Sequence, residues 1–333
     1  HLITSTKFNK SATLDIESNL IKYFSADGQY KLLNANIGLA NHTYYQKDEI
    51  YKGVFSSLWD NLRSEGIVKH SLEHINNSDL FKYSPYKNLT KEQIEGLLAI
   101  INNLLEDNFR DIIIEGGAGT GKTILATFLF KLLNTDNEDF NFKEFGDEED
   151  IFVSKIKELK QKYPKPKMAL VIPMSSFRET LKKVFRNIKG LSSKMVVGPA
   201  EITKDKDKKF DILVVDESHR LRRRTNLGAY FGAFDKACRR LDLDKLTCSE
   251  LDWVVLQSKK SILFYDENQS IKPSDTLKID FDKLKSDINT NIMKLKSQFR
   301  VMGGNDYVEY IDNLLHCNLN DMAEDFKSKK YDF

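Results

Sequence analysis

The chain has 333 residues, 41% hydrophobic and 30% charged, which is enough for two domains with buried cores and excludes a fibrous or wholly disordered protein. Its 51 basic and 49 acidic residues leave a formal net charge of +2, so affinity for a polyanion has to come from local clusters and not from a basic bulk. Cys238, Cys248 and Cys317 form no C-x-x-C pair, which argues against a disulfide framework or zinc ribbon and suits a reducing cytoplasm. No apolar run approaches the roughly 20 residues needed to span a bilayer. The first residue is His1 and not a methionine, so an upstream segment is expected.

Residues 1–85 are polar and aromatic. Leu14, Ile16, Leu20, Ile21 and Phe24 recur at helical spacing, and a second helical pattern runs from Tyr51 to Leu62, which predicts a small α-rich module. The run Phe8-Asn9-Lys10-Ser11, Glu17 and the pair Asn34 and Asn36 resemble the C-terminal half of a GIY-YIG endonuclease domain. That resemblance implies that Glu17, on its helix, binds a catalytic divalent metal. No GIY or YIG triplet and no matching arginine helix is present, so Glu17 reads equally as a solvated carboxylate on a helix face.

Thr90 is a natural N-cap for a helix carrying Ile94, Leu97, Leu98, Ile101, Leu104 and Leu105. Leu89-Thr90 followed by Gln93 resembles the Q motif of superfamily 1 helicases, which implies that the Gln93 amide reads an adenine edge; an amide donates and accepts at once. Next, Asp111-Ile112-Ile113-Ile114 leads into Glu115-Gly116-Gly117-Ala118-Gly119-Thr120-Gly121-Lys122-Thr123 and then a helical run to Leu133. Strand, glycine loop and helix in that order satisfy G-x-x-x-x-G-K-[ST], a nest in which backbone N–H groups and a helix N-terminus receive phosphate. The expected ligand is ATP, with Lys122 reaching its β- and γ-phosphates and Thr123 ligating Mg²⁺.

Residues 134–150 carry eight acidic side chains and one lysine, and residues 151–167 carry six lysines and one glutamate. A mobile acidic loop followed by an exposed helix is expected there, ended by Pro164 and Pro166. Met168 to Ile172 reads as a buried parallel strand, followed by Pro173-Met174-Ser175-Ser176 and a helix from Phe177 to Phe185. This is the place of helicase motif Ia. Ser175 and Ser176 are either contacts to a nucleic-acid backbone or plain helix caps. A further short strand is expected at 195–197.

Asp211 to Val215 is an apolar run that reads as a buried strand ending in two carboxylates, in Asp216-Glu217-Ser218-His219. Strand ends of this kind are where α/β folds place ligands, so Asp216 is expected to hold Mg²⁺ through water and Glu217 to polarise an attacking water. Arg220, Arg222, Arg223 and Arg224 follow as the densest cationic cluster of the chain, either a phosphate contact or a solvated loop. Ser261 to Tyr265 is another apolar strand ahead of Asp266-Glu267-Asn268-Gln269, matching helicase motif III, with Gln269 placed to sense a γ-phosphate. Leu295 to Arg300 resembles motif IV, which implies an arginine finger at Arg300, a device that raises hydrolysis by about 10³ to 10⁵.

Taken in order, Gln93, GGAGTGKT, PMSS, VVDESHR, FYDENQ and SQFR resemble the Schlafen group 3-like DNA/RNA helicase domain family over roughly residues 85–333. The resemblance implies a RecA-like α/β lobe and an ATP- and Mg²⁺-dependent motor on single- or double-stranded DNA or RNA. Family members are often fused to nuclease domains, so an ATP-gated nuclease or phage-defence protein is the alternative; a nucleotide-binding module without turnover is a third reading. The expected layout is an N-terminal module at 1–85, a first lobe at 86–296 with a mostly parallel sheet from five apolar runs, and the start of a second lobe at 297–333. Motifs V and VI are not seen.

Overall fold

The structure, a computed structural model, describes residues 8–30, 47–83, 89–117, 119–135, 150–295 and 313–314. The first stretch is helical: α1 (Lys10–Asp27), α2 (Lys47–Glu49), a π-helical segment (Ile50–Phe55), α3 (Ser56–Ser64), α4 (Leu72–Asn77) and α5 (Asp79–Lys82). Helix α1 starts where the Asn9 side chain accepts the Ala12 N–H, and it ends on Gly28 at φ 72°, whose N–H returns to the Phe24 carbonyl. Ala12, Ile16 and Tyr23 pack with Phe55, Trp59, Ile75 and Phe81 in a core of their own. The periodicity from Tyr51 to Leu62 predicts one helix, but its first turns are wider; this stacks the Tyr51 and Phe55 rings with centroids 5.3 Å apart.

The remainder is a doubly wound α/β unit. Its elements are α6 (Lys91–Leu105), β1 (Asp111–Glu115), α7 (Lys122–Asn134), α8 (Asp150–Lys162), β2 (Met168–Val171), α9 (Ser175–Arg186), β3 (Val196–Val197), β4 (Phe210–Val215), α10 (Phe231–Arg240), α11 (Glu250–Gln257), β5 (Ser258–Tyr265), α12 (Lys278–Lys285) and β6 (Thr290–Lys294). The six strands form one sheet in the order β3-β2-β4-β5-β1-β6, with every pair parallel. Because side chains alternate across a strand, the sheet feeds two cores. Ile112, Ile114, Leu170, Ile212, Val214, Ile262 and Phe264 face α6 to α9. Ile113, Val171, Leu213, Val215, Leu263 and Tyr265 face Phe234, Trp253 and Phe281 on α10, α11 and α12.

Two sequence expectations need correction. Among the described residues the sheet has six strands and not five: β6 pairs with β1 from Asp111 opposite Thr290 to Glu115 opposite Lys294. As an edge strand it is covered on one side and alternates in burial, so it lacks the continuous apolar run that marks a central parallel strand. Helix α8 is not an exposed helix. Phe152, Ile156 and Leu159 on it are buried in the first core, and its lysines lie on other faces or, like Lys160, direct their ammonium at main-chain carbonyls of α7 and Thr135. The acidic stretch before it, residues 136–149, lies outside the described residues.

The strand order has a consequence for function. All strands run the same way, so the loops that follow them gather at one edge of the sheet. β5 lies between β1 and β4, which sets the loop after β5 between the glycine loop and the paired acids.

Candidate nucleotide-binding site

The glycine loop joins β1 to α7. Its backbone has to turn through the left-handed region twice, with Gly119 at φ 82° and Gly121 at φ 85°, where a side chain would be strained. The Gly116 N–H donates to the Tyr265 carbonyl at 3.1 Å, which ties the loop to the end of β5, and the Thr120 hydroxyl donates to the Gly117 carbonyl at 3.0 Å. Lys122, 5% exposed, curls its ammonium under the loop and donates to the carbonyls of Gly116 and Gly117, the latter at 2.8 Å. The thirteen-residue apolar helix behind it, with Leu125, Phe128 and Leu132 fully buried, anchors that position.

From β4, Asp216 meets the first turn of α7: the Thr123 hydroxyl donates to its Oδ2 at 2.5 Å, and the Glu217 N–H donates to its Oδ1 at 3.0 Å. Asp216 is fully buried. Burial and the neighbouring Glu217 charge push its carboxyl up to about 6, against the pull of Thr123 and Lys122. Glu217 sits in the left-handed region at φ 56°, ψ 46°, a conformation that costs a residue with a Cβ about 1–2 kcal/mol. Its Oε2 lies 3.0 Å from Nε2 of His219, which is wholly buried. Burial raises the Glu217 carboxyl, but His219, with Lys122 and Arg220 behind it, outweighs that and holds it below the usual range. Neither ring nitrogen of His219 has an aligned hydrogen bond, so the contact is chiefly electrostatic.

The loop after β5 completes the cluster. Asp266, 5% exposed, has Oδ2 3.7 Å from the Lys122 ammonium, and the same oxygen accepts the Gln269 side-chain N–H at 2.5 Å. The Ser218 hydroxyl donates to the Phe264 carbonyl at 2.8 Å, fastening the β4 loop to β5. Gln93 also reaches the loop: a Cβ on Gly121 would stand 2.6 Å from its Nε2. Its Oε1, however, already accepts the Thr90 N–H at 3.0 Å in a capping box. Lys122, Thr123, Asp216, Glu217, Gln269 and Gln93 are therefore gathered around Gly116 to Gly121.

A second cleft, of about 250 Å³, opens at the same sheet edge beyond β2 and β3, where Ser175, Arg178, Gly198, Arg222, Tyr230 and Glu250 line it. Ser175 and Ser176 are exposed, and α9 is capped by Met174 without a side-chain bond, so the serines do not act as N-caps. The Arg222 guanidinium stands 5.0 Å over the Tyr230 ring. Glu250 supports both: it accepts the Tyr230 hydroxyl at 2.8 Å and the Arg222 N–H at 2.9 Å, and burial pushes its carboxyl up to about 7. The arginine cluster is not a uniform solvated patch. Arg220 lies 3.3 Å from Asp275, Arg224 forms a two-point pair with Asp235 at 2.7 and 3.0 Å, and Arg223 is half-buried with its N–H on the Ser274 carbonyl.

Glu17 is on the exposed face of α1, while the buried acid of that helix is Asp15. Among the described residues no group of three or more His, Cys, Asp or Glu side chains could hold a metal ion. Ala118 and Arg300 lie outside the described residues. Sequence reasoning passed over Asp266, His219, Arg178 and Glu250, and it read Tyr230 as a core residue, which does pack against the second core. A signal existed for Asp266, which stands directly after its strand just as Asp216 does; the others are brought in by packing. Among the described residues no helix is long and apolar enough to cross a membrane.

Comparison with known proteins bears on the same stretch of chain. The family model described as Schlafen group 3, DNA/RNA helicase domain matches residues 110–333, about two-thirds of the chain, and spans every strand of the sheet. No curated protein gives a match.

Proposed function

The chain belongs to the Schlafen group 3 DNA/RNA helicase domain family, and from that premise we propose that it is an ATP- and Mg²⁺-dependent translocase on nucleic acid. In this reading residues 86–296 are its first RecA-like lobe and residues 1–85 an attached module. One observation carries the proposal: three stretches far apart in sequence, at 116–123, 216–217 and 266–269, meet at a single edge of the sheet with one ammonium group among three carboxylates.

The residues suit a triphosphate. The loop offers backbone N–H groups at the N-terminus of a thirteen-residue helix, and the Lys122 ammonium can exchange its two carbonyl partners for phosphate oxygens. They also suit a divalent cation, because the Asp216 carboxyl, raised by burial beside a second acid, gains from a positive charge at its Thr123-facing oxygen. Thr123 and Asp216 would hold Mg²⁺, which when bound neutralises phosphate oxygens. Glu217, kept ionised by His219, orients and deprotonates water; Asp266 positions Lys122; Gln269, bonded to that same Asp266, links γ-phosphate occupancy to the loop after β5. Along the sheet edge, Ser175, Ser176 and Arg222 would take the nucleic-acid backbone, joined by Arg178, without reading sequence. Arg220 and Arg223 hold their loop in place.

The test is ATP turnover by the wild type and Lys122→Ala, with and without single-stranded DNA or RNA. We expect stimulation by the polymer and a loss of about 10²-fold or more in the variant. Turnover unchanged by the substitution would remove the site, and turnover indifferent to any polymer would remove the translocase.

A further inference from the structure

Cys238 is on the last turns of α10, and Cys248 stands just ahead of α11. The sequence spacing gives no reason to pair them, yet their sulfurs are 3.2 Å apart, and both residues are buried, at 1% and 7% exposure. The turn between them is held in its folded course by main-chain bonds: the Leu243 N–H donates to the Cys238 carbonyl at 2.9 Å and the Cys248 N–H to the Asp244 carbonyl at 3.0 Å. The Trp253 indole N–H, without an oxygen or nitrogen acceptor, faces both sulfurs. A disulfide bond is about 2.05 Å long, so the two sulfurs are within roughly 1 Å of bonding distance.

We propose that Cys238 and Cys248 are a redox modification site that closes to a disulfide on meeting a low-molecular-weight disulfide such as oxidised glutathione. Cys248, the more exposed of the two, attacks one glutathione sulfur as its thiolate, forming a mixed disulfide and releasing one glutathione thiolate. Cys238 then attacks the Cys248 sulfur and expels the second glutathione. Two protein thiols lose two protons and two electrons, and one glutathione disulfide becomes two thiols. Burial pushes the Cys238 thiol up to about 12 and raises Cys248 as well, so few thiolates are present and closure is slow, accelerating with pH.

The bridge would clamp a particular part of the fold. Asp235, one turn before Cys238, holds Arg224, and Glu250, two residues after Cys248, holds Arg222 and Tyr230. Closing the elbow between α10 and α11 therefore fixes the supports of the arginine loop relative to each other.

The test incubates the folded full chain with oxidised glutathione until the reaction stops, then maps peptides by mass spectrometry without reduction. We expect one linked peptide pair joining Cys238 to Cys248, loss of two hydrogens in intact mass, and reversal by dithiothreitol. A Cys317→Ser variant behaves the same, and Cys238→Ser gives no link. In a Trp59→Phe background, emission from Trp253 drops on closure, and the Tm rises by roughly 5 °C. A folded chain that stays reduced at both positions, carries only glutathione adducts, or links either cysteine to Cys317 overturns the proposal. An unfolded sample oxidised in parallel shows that the mapping detects whatever disulfides are present.

Discussion

Gly121→Ala tests the packing of the glycine loop against the start of α6. Gly121 has φ 85°, where an L-residue is strained by about 1–2 kcal/mol. The added Cβ would also stand 2.6 Å from Gln93 Nε2, and that amide has to move. Its Oε1 is the acceptor for the Thr90 N–H, so moving it opens the capping box at a cost of about 1 kcal/mol. The sum is roughly 2–3 kcal/mol, which in a chain of this size lowers the Tm by about 5–10 °C. The assay is a double-mutant cycle with Gln93→Ala, read by urea unfolding. Gln93→Ala alone loses half the box, about 1 kcal/mol. In the double variant no amide is left to displace, so only the backbone strain is added, and the pair should be less destabilised than the sum by about 1 kcal/mol. Additivity to within about 0.3–0.5 kcal/mol, or a Gly121→Ala chain as stable as wild type, would refute the argument that Gln93 is seated on the loop.

Other outcomes follow from the same geometry. His219→Ala should lower kcat for ATP with the nucleotide Kd little changed, because only the orientation and charge of Glu217 are lost, and His219→Gln should recover part of it; an equal loss in both variants, or a loss of binding, would assign His219 a structural role alone. Glu250 has a folded pKa of about 7, above its ordinary 4.5. The folded state therefore binds the proton more tightly, and stability falls as pH rises from about 4.5 to 7, with about 1 kcal/mol lost between pH 6 and 8. Urea unfolding should show that loss in the wild type and not in Glu250→Gln; Asp216, also raised, adds a slope of the same sign at lower pH. Arg178→Ala and Arg222→Ala should each weaken nucleic-acid binding and reduce the salt slope by about 1, measured by fluorescence anisotropy, and unchanged slopes would take the cleft out of the interface.

Pieces whose information is local were legible in the order of residues alone. A run such as Asp111 to Ile114 followed by glycines, Lys122 and a helical period specifies strand, loop and helix, because backbone torsions and side-chain alternation are set over a few residues. Asp216 after its own apolar run is legible for the same reason. Tertiary structure decided which of these pieces meet. The placing of β5 between β1 and β4 sets Asp266 and Gln269 beside Lys122, and strand order is a matter of pairing between distant segments that no window of sequence contains. Edge strand β6 escaped notice because one-sided burial asks for little apolar content, and α8 looked exposed because four lysines are interleaved with the apolar side chains that bury it. The meeting of Cys238 with Cys248, and of Arg222 with Tyr230 and Glu250, depends on how α10 and α11 fold back on the sheet, which burial of Phe234 and Trp253 against β4 and β5 imposes.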